Sequence, residues 1–181
     1  MIDWLKWWHS GYWQHADESW RQDSWFALPE ARQQALARLR GAAIGQQWGV
    51  EPAPLAAPPP LLLDLLALSA AQKSRLLTLT DAICGVETPL AGEDKIWCRR
   101  LAKGLRPESW LPQGLYQQPA ALTLLQARYP LCWSRLRMAF PRDAALACPA
   151  TPLDLPVRRL QAIWEAALWR CNGEEKPDVA A

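Results

Sequence analysis

Val and Ile together supply only 9 of the 181 residues in this chain, against 29 Leu and 29 Ala. Strands favour β-branched side chains, which sit well on a pleated surface; helices favour Leu and Ala, which lose little rotamer freedom in a turn. The imbalance excludes a large β-sheet. With 50% hydrophobic and 21% charged residues, it also argues against disorder and against a collagenous or disulfide-dense scaffold. Pro and Gly punctuate the helical patterns, so an all-α fold of mainly short helices is expected. A chain of this length buries roughly 70% of the surface its unfolded form exposes, which is enough for one helical domain without a covalent or metal staple.

The clearest organisational mark is EPAPLAAPPP at 51–60, with five prolines. It forbids helix and favours an extended polyproline conformation. It separates a Trp-rich N-terminal piece (1–50) from a helical body (61–173), and the tail 174–181 is expected to be disordered. A piece of about 50 residues is marginal as an independent fold, so the Pro-rich segment is expected to act as a strap more than a hinge. In the N-terminal piece, Asp3 is a good N-cap and Leu36, Leu39 and Ala43 form the inward stripe of a helix opening at Pro29. In the body, Leu76, Leu79, Thr80 and Ile83 form one stripe, and Ile96, Trp97, Leu101 and Leu105 a second. Leu122, Leu125 and Tyr129 follow, then Trp133, Leu136 and Phe140. The last helix, from Pro156, carries Leu160, Trp164, Ala167, Leu168 and Cys171 and stops at Gly173.

Twelve Trp against 3 Tyr and 2 Phe is a second anomaly. GC-rich codons account for part of the Trp and Arg excess, but not for six Trp within the first 25 residues. Trp4, Trp7 and Trp8 fall on one helical stripe. Either they pack inward as core, which is favoured, or they form an aromatic anchor for a partner groove. Of Trp97, Trp133, Trp164 and Trp169 in the body, at least three are expected to be core.

The net charge of +2 conceals an asymmetry. Residues 1–91 carry 7 basic and 9 acidic side chains, whereas residues 92–173 carry 12 and 6. Arg99, Arg100 and Lys103 cluster on one predicted helix, and Arg135 and Arg137 on another; together with Trp4, Trp7 and Trp8 they are the candidate partner-binding residues. A pI of about 8.3 without a recognised motif does not favour nucleic acid. An acidic partner protein suits the Arg-bearing helices better, and a plain solvated face remains the simplest alternative.

Catalytic patterns are missing. No phosphate-cradling glycine loop occurs, the two histidines (His9 and His15) lack a nearby cysteine, and no close Cys/His cluster suggests a metal. No carboxylate pair falls at helical spacing within an apolar stripe. No catalytic residue, cofactor, metal or small-molecule substrate is therefore expected. Five widely spaced cysteines read as free thiols in a reducing compartment. The N-terminus lacks a signal-peptide pattern and the longest apolar run is interrupted by Asp64, so a cytoplasmic protein without a membrane span is expected.

Residues 93–140, EDKIWCRRLAKGLRPESWLPQGLYQQPAALTLLQARYPLCWSRLRMAFP, together with the closing LQAIWEAALW, carry a resemblance. An Arg-rich helix precedes a Trp-Leu-Pro step, an Ala-Leu-rich helix, a Trp-x-Arg-Leu-Arg segment and a terminal amphipathic helix with Trp. This arrangement resembles the HrpD/YscK-like (SctK) accessory proteins of bacterial type III secretion. It covers about half the chain and excludes the Trp-rich start. The resemblance implies a helical adaptor that links the cytoplasmic domains of an inner-membrane ring protein to the pods of the sorting platform. It implies partners in the ring and pod, peripheral placement at the inner membrane through those partners, and no cofactor. The alternative is a small helical regulator or nucleic-acid-binding protein that uses the basic C-terminal half.

Overall fold

The structure, a computed structural model, describes residues 3–173; the tail expected to be disordered lies outside them. In chain order the helices are α1 (Trp4–Lys6), α2 (Glu30–Gln46), α3 (Pro60–Ala67), α4 (Ala70–Ile83), α5 (Gly92–Leu105), α6 (Ala121–Arg128), α7 (Trp133–Leu136), α8 (Arg142–Leu146) and α9 (Val157–Asn172). No strand occurs among the described residues, so the fold is all-α. Prolines mark the starts: Pro29, Pro141 and Pro156 immediately precede α2, α8 and α9, and Pro60 opens α3. At these positions the missing N–H costs nothing, because the first turn has no carbonyl to bond.

Contacts gather the chain into two units, Met1–Ala67 with Tyr129–Cys148, and Leu68–Arg128 with Pro149–Ala181. Residues 61–67 and 129–148 thus group with the N-terminal piece, whereas 68–128 and 149–173 form the other unit. Polar bonds give the reason. The Asp17 amide donates to the Met138 carbonyl at 2.8 Å, the Trp20 indole to the Phe140 carbonyl at 2.8 Å, and the Arg142 amide to Ser19 Oγ at 2.9 Å. A segment too small to close its own core is completed by a later one.

In the first unit, Asp3 caps α1 by accepting from the Lys6 amide. The chain then passes through a wide turn at Trp7–Gly11 and tight turns at Tyr12–His15, Glu18–Trp20 and Ser24–Ala27. These turns send successive indoles inward: Trp7, Trp8, Trp13, Trp20 and Trp25 are all buried. Trp13, Trp25 and Trp48 form a cluster with ring centroids 5.3–6.2 Å apart, within the range of favourable edge-to-face and tilted contacts. Residues 51–59 of the Pro-rich segment have no regular structure, and only Pro60, expected with them, is helical, as the first residue of α3; the carbonyls of 51–59 are therefore not held by a helix. Ala56 takes the Trp4 indole N–H at 2.8 Å and Ala53 that of Trp8 at 3.3 Å. An extended proline strap and a row of indoles are chemically matched, because a polyproline backbone has acceptors and no internal hydrogen bonds.

Helix α2 buries a different face from the expected one. Leu39 is 81% exposed and Ala43 is exposed; Ala37, Ile44 and Gly45 are buried instead. The helix is broken at Arg40 (φ −138°, ψ 28°), and its small residues turn towards the aromatics. A Cβ on Gly45 would lie 2.6 Å from the Tyr12 hydroxyl. Room for Tyr12 outweighs burial of Leu39.

In the second unit α5, α6 and α9 all pack on α4. Leu76, Leu79, Thr80 and Ile83 are buried as their spacing predicts, and so are Leu160, Trp164, Ala167, Leu168 and Cys171 of α9. Ser69 and Gln72 form a reciprocal capping box at the start of α4. Asp81 of α4 accepts from the Ala120 and Ala121 amides, each at 2.9 Å, and so caps α6 from a neighbouring helix. Burial raises the Asp81 carboxyl above its usual value, only partly opposed by these two amides. The charged form therefore works against folding as pH rises through its range. Asp81→Asn keeps the acceptor without the buried charge and is expected to be neutral or slightly stabilising at pH 7. Asp81→Ala loses both bonds and is expected to cost about 1–2 kcal/mol in urea unfolding.

Candidate partner-docking face

Helix α5 is amphipathic, with Cys98 buried and Trp97, Leu101 and Leu105 half-buried. Ile96, expected with the inward stripe, is 53% exposed. The reason lies in the helical turn: Ile96 falls on the same side as Arg99, Arg100 and Lys103, about 100° per residue away from the Cys98 side. All three cations are exposed, and among the described residues none makes an ion pair. The resulting face is an apolar side chain ringed by open cations.

The neighbouring charges are already committed. Lys95 meets Glu87 at 2.9 Å. That bond and the Lys95 charge, with a smaller contribution from Arg99, hold the Glu87 carboxyl below its usual range. Asp94, on the inner side of α5, bonds Arg75 of α4 at 2.9 Å and Arg170 of α9 at 2.8 Å. The network fixes α5 against its neighbours and leaves its outer face unused by the fold. A shallow recess of about 110 Å³, lined in part by Gly85, Glu87, Lys95 and Arg99, lies beside it.

The remaining candidates are elsewhere and differently used. Trp7 and Trp8 are 2% and 1% exposed, so they are core and offer no anchor to a partner; Trp4 is half-buried, stacked on Trp7 at 5.1 Å. Arg135 is buried and Arg137 half-buried. Arg135 donates to the carbonyls of Trp8 (2.8 Å) and Glu51 (3.4 Å), and Arg137 to that of Trp48. Both serve the first unit internally. Of the eight candidate residues, Arg99, Arg100 and Lys103 alone make one open face.

No group of His, Cys, Asp and Glu with metal-holding geometry occurs among the described residues. The five cysteines form no disulfide among the described residues, and burial pushes the Cys84 thiol up to about 12 and those of Cys98 and Cys132 up to about 11. Those three thiols are therefore inert. No described helix is long and apolar enough to cross a membrane. Comparison with models of known families, with curated proteins and with solved structures found no match.

Two features escaped the sequence reading. Trp169, expected with the body tryptophans, is 67% exposed; of that set only Trp133 and Trp164 are buried. Trp169 lies on the α9 side opposite Leu160, Ala167 and Cys171, a position the helical spacing already placed outward. The close approach of Tyr12 to Gly45, near Arg135, joins residues 33 apart in the chain, and local spacing carries no record of it.

Proposed function

We propose that this chain is a non-enzymatic helical adaptor of a bacterial type III secretion apparatus, linking the inner-membrane ring to the cytoplasmic sorting platform. The observation that carries the reading is the outer face of α5, where Arg99, Arg100 and Lys103 surround the exposed Ile96. That helix opens the segment 93–140 in which the resemblance lies. Three unpaired cations around one apolar side chain suit an acidic protein surface with a small apolar notch. Charge then steers the encounter, and the apolar contact adds the short-range part.

Arg99→Glu/Arg100→Glu/Lys103→Glu is expected to weaken binding to the ring domain or pod component at least tenfold, since like charges across an interface cost several kcal/mol. Its melting temperature should stay near that of the parent, because the three side chains are exposed. Retention of duplex DNA by the parent, weakening steeply with salt, would assign the face to nucleic acid instead.

A further inference from the structure

Arg135 carries a buried positive charge with no carboxylate beside it. It is 6% exposed, and among the described residues it forms no ion pair. Two of its nitrogens are satisfied: Nε by the Trp8 carbonyl and Nη2 by the Glu51 carbonyl. The guanidinium lies 4.5 Å from the Trp8 ring centre and 5.8 Å from that of Tyr12. Its third nitrogen, Nη1, is buried without an acceptor. Carbonyl dipoles and ring faces lower the cost of burying the charge but do not neutralise it, and an unfilled donor on a buried cation is costly.

Arg135 also lines a cleft of about 250 Å³, with Tyr12, Gly41, Ala42, Gly45, Val50 and Pro52 among its walls. The cleft lies wholly within the first unit, between α2 and the start of the proline strap. Gly45 makes the space: any Cβ there would collide with the Tyr12 hydroxyl. Among the described residues that hydroxyl makes no hydrogen bond. Burial, only partly opposed by the nearby Arg135 charge, pushes it up to about 12, so it remains protonated and able to donate. Glu51 also borders the cleft, but its side chain is exposed to solvent.

We propose that this cleft binds a small carboxylate with a short apolar body, its two oxygens taken by Arg135 Nη1 and the Tyr12 hydroxyl. Two donor groups match two carboxylate oxygens, whereas a phosphate dianion needs more donors than the cleft offers. Ala42, Val50, Pro52 and Ala53 supply an apolar wall, and the small volume excludes drug-sized ligands. The site is independent of the α5 face.

The test uses the full chain with sodium hexanoate as probe, hexanamide as its neutral counterpart and inorganic phosphate as the competing anion. Hexanoate should bind saturably by calorimetry and raise the melting temperature. Hexanamide and phosphate should bind at least about tenfold more weakly, because neither offers a carboxylate to the donor pair. Tyr12→Phe should weaken hexanoate about tenfold by removing one donor. Ala42→Leu, at an exposed position on the cleft wall, should abolish binding without unfolding the chain, and carries the test even if Tyr12→Phe is unstable. Equal binding of hexanoate and hexanamide, tighter binding of phosphate, no binding of hexanoate at millimolar concentration, or unchanged binding to Ala42→Leu would each overturn the proposal.

Discussion

Trp4→Ala/Trp7→Ala/Trp8→Ala is expected to abolish cooperative folding of the unit formed by residues 1–67 and 129–148. Trp7 and Trp8 are among the largest fully buried side chains in the molecule. Truncating a core Trp to Ala typically costs about 3–5 kcal/mol, so the pair alone approaches the entire stability of an ordinary domain, about 5–15 kcal/mol. The triple change also removes the Trp4–Trp7 stack and both indole donors that hold the strap at Ala53 and Ala56. Arg135 loses the ring 4.5 Å from its guanidinium. Because these side chains touch one another, their costs are not additive, but each partial loss points the same way. Near-UV circular dichroism and urea unfolding would read the result. Trp4→Ala alone, at a half-buried position, is expected to cost about 1–2 kcal/mol. A triple variant with native-like near-UV signal and an unchanged urea midpoint would contradict the assignment of these rings to the core.

Asp94→Ala should be the most damaging loss of a charged side chain in the second unit. Its side chain is 17% exposed and joins three helices through Arg75 and Arg170. Removing one partner of a buried ion pair costs about 3–5 kcal/mol. The two arginines here keep some access to water and Arg170 retains Glu93 at 3.8 Å, so about 2–3 kcal/mol is expected. Burial by itself would raise the Asp94 carboxyl, but the hydrogen bonds and charges of Arg170 and Arg75 outweigh it and hold the carboxyl below its usual range. A lowered carboxyl stabilises the fold above the ordinary Asp value of about 3.9, and that contribution disappears as pH falls through the lower folded value. Stability should therefore fall as pH drops below about 4. In Asp94→Asn the fall should be shallower, because the titrating group is gone. Urea midpoints across that range check both the size and the sign.

Helix type and most inward stripes were legible in the sequence because they depend on local periodicity. The α4 and α9 stripes are buried as written, since each helix is unbroken and has one apolar side. Spacing failed where a tertiary demand competed with it. In α2 the Tyr12 hydroxyl needs Gly45, so the small-residue side turns inward and Leu39 is left outside. In α5 the Asp94–Arg75–Arg170 network and Cys98 choose the inner side, which puts Ile96 among the cations. The return of residues 129–148 to the N-terminal piece was illegible for another reason. It rests on bonds such as Arg135 to the Trp8 carbonyl, across 127 residues, and a one-dimensional pattern carries no record of such pairings. The candidate site was half legible. The basic residues stood out as charges, but the sequence does not distinguish the open cations of α5 from Arg135 and Arg137, whose guanidinium groups are tied to backbone carbonyls.

Co-elution of the purified chain with the ring cytoplasmic domain and pod component of the secretion apparatus from the same bacterium tests the adaptor reading most directly. The account predicts a stable complex with the parent chain. It also predicts loss of that complex with Arg99→Glu/Arg100→Glu/Lys103→Glu, while the variant keeps the parent's helical signal and melting temperature. Failure of the parent to join any component of the apparatus, or undiminished binding by the charge-reversed variant, would contradict it.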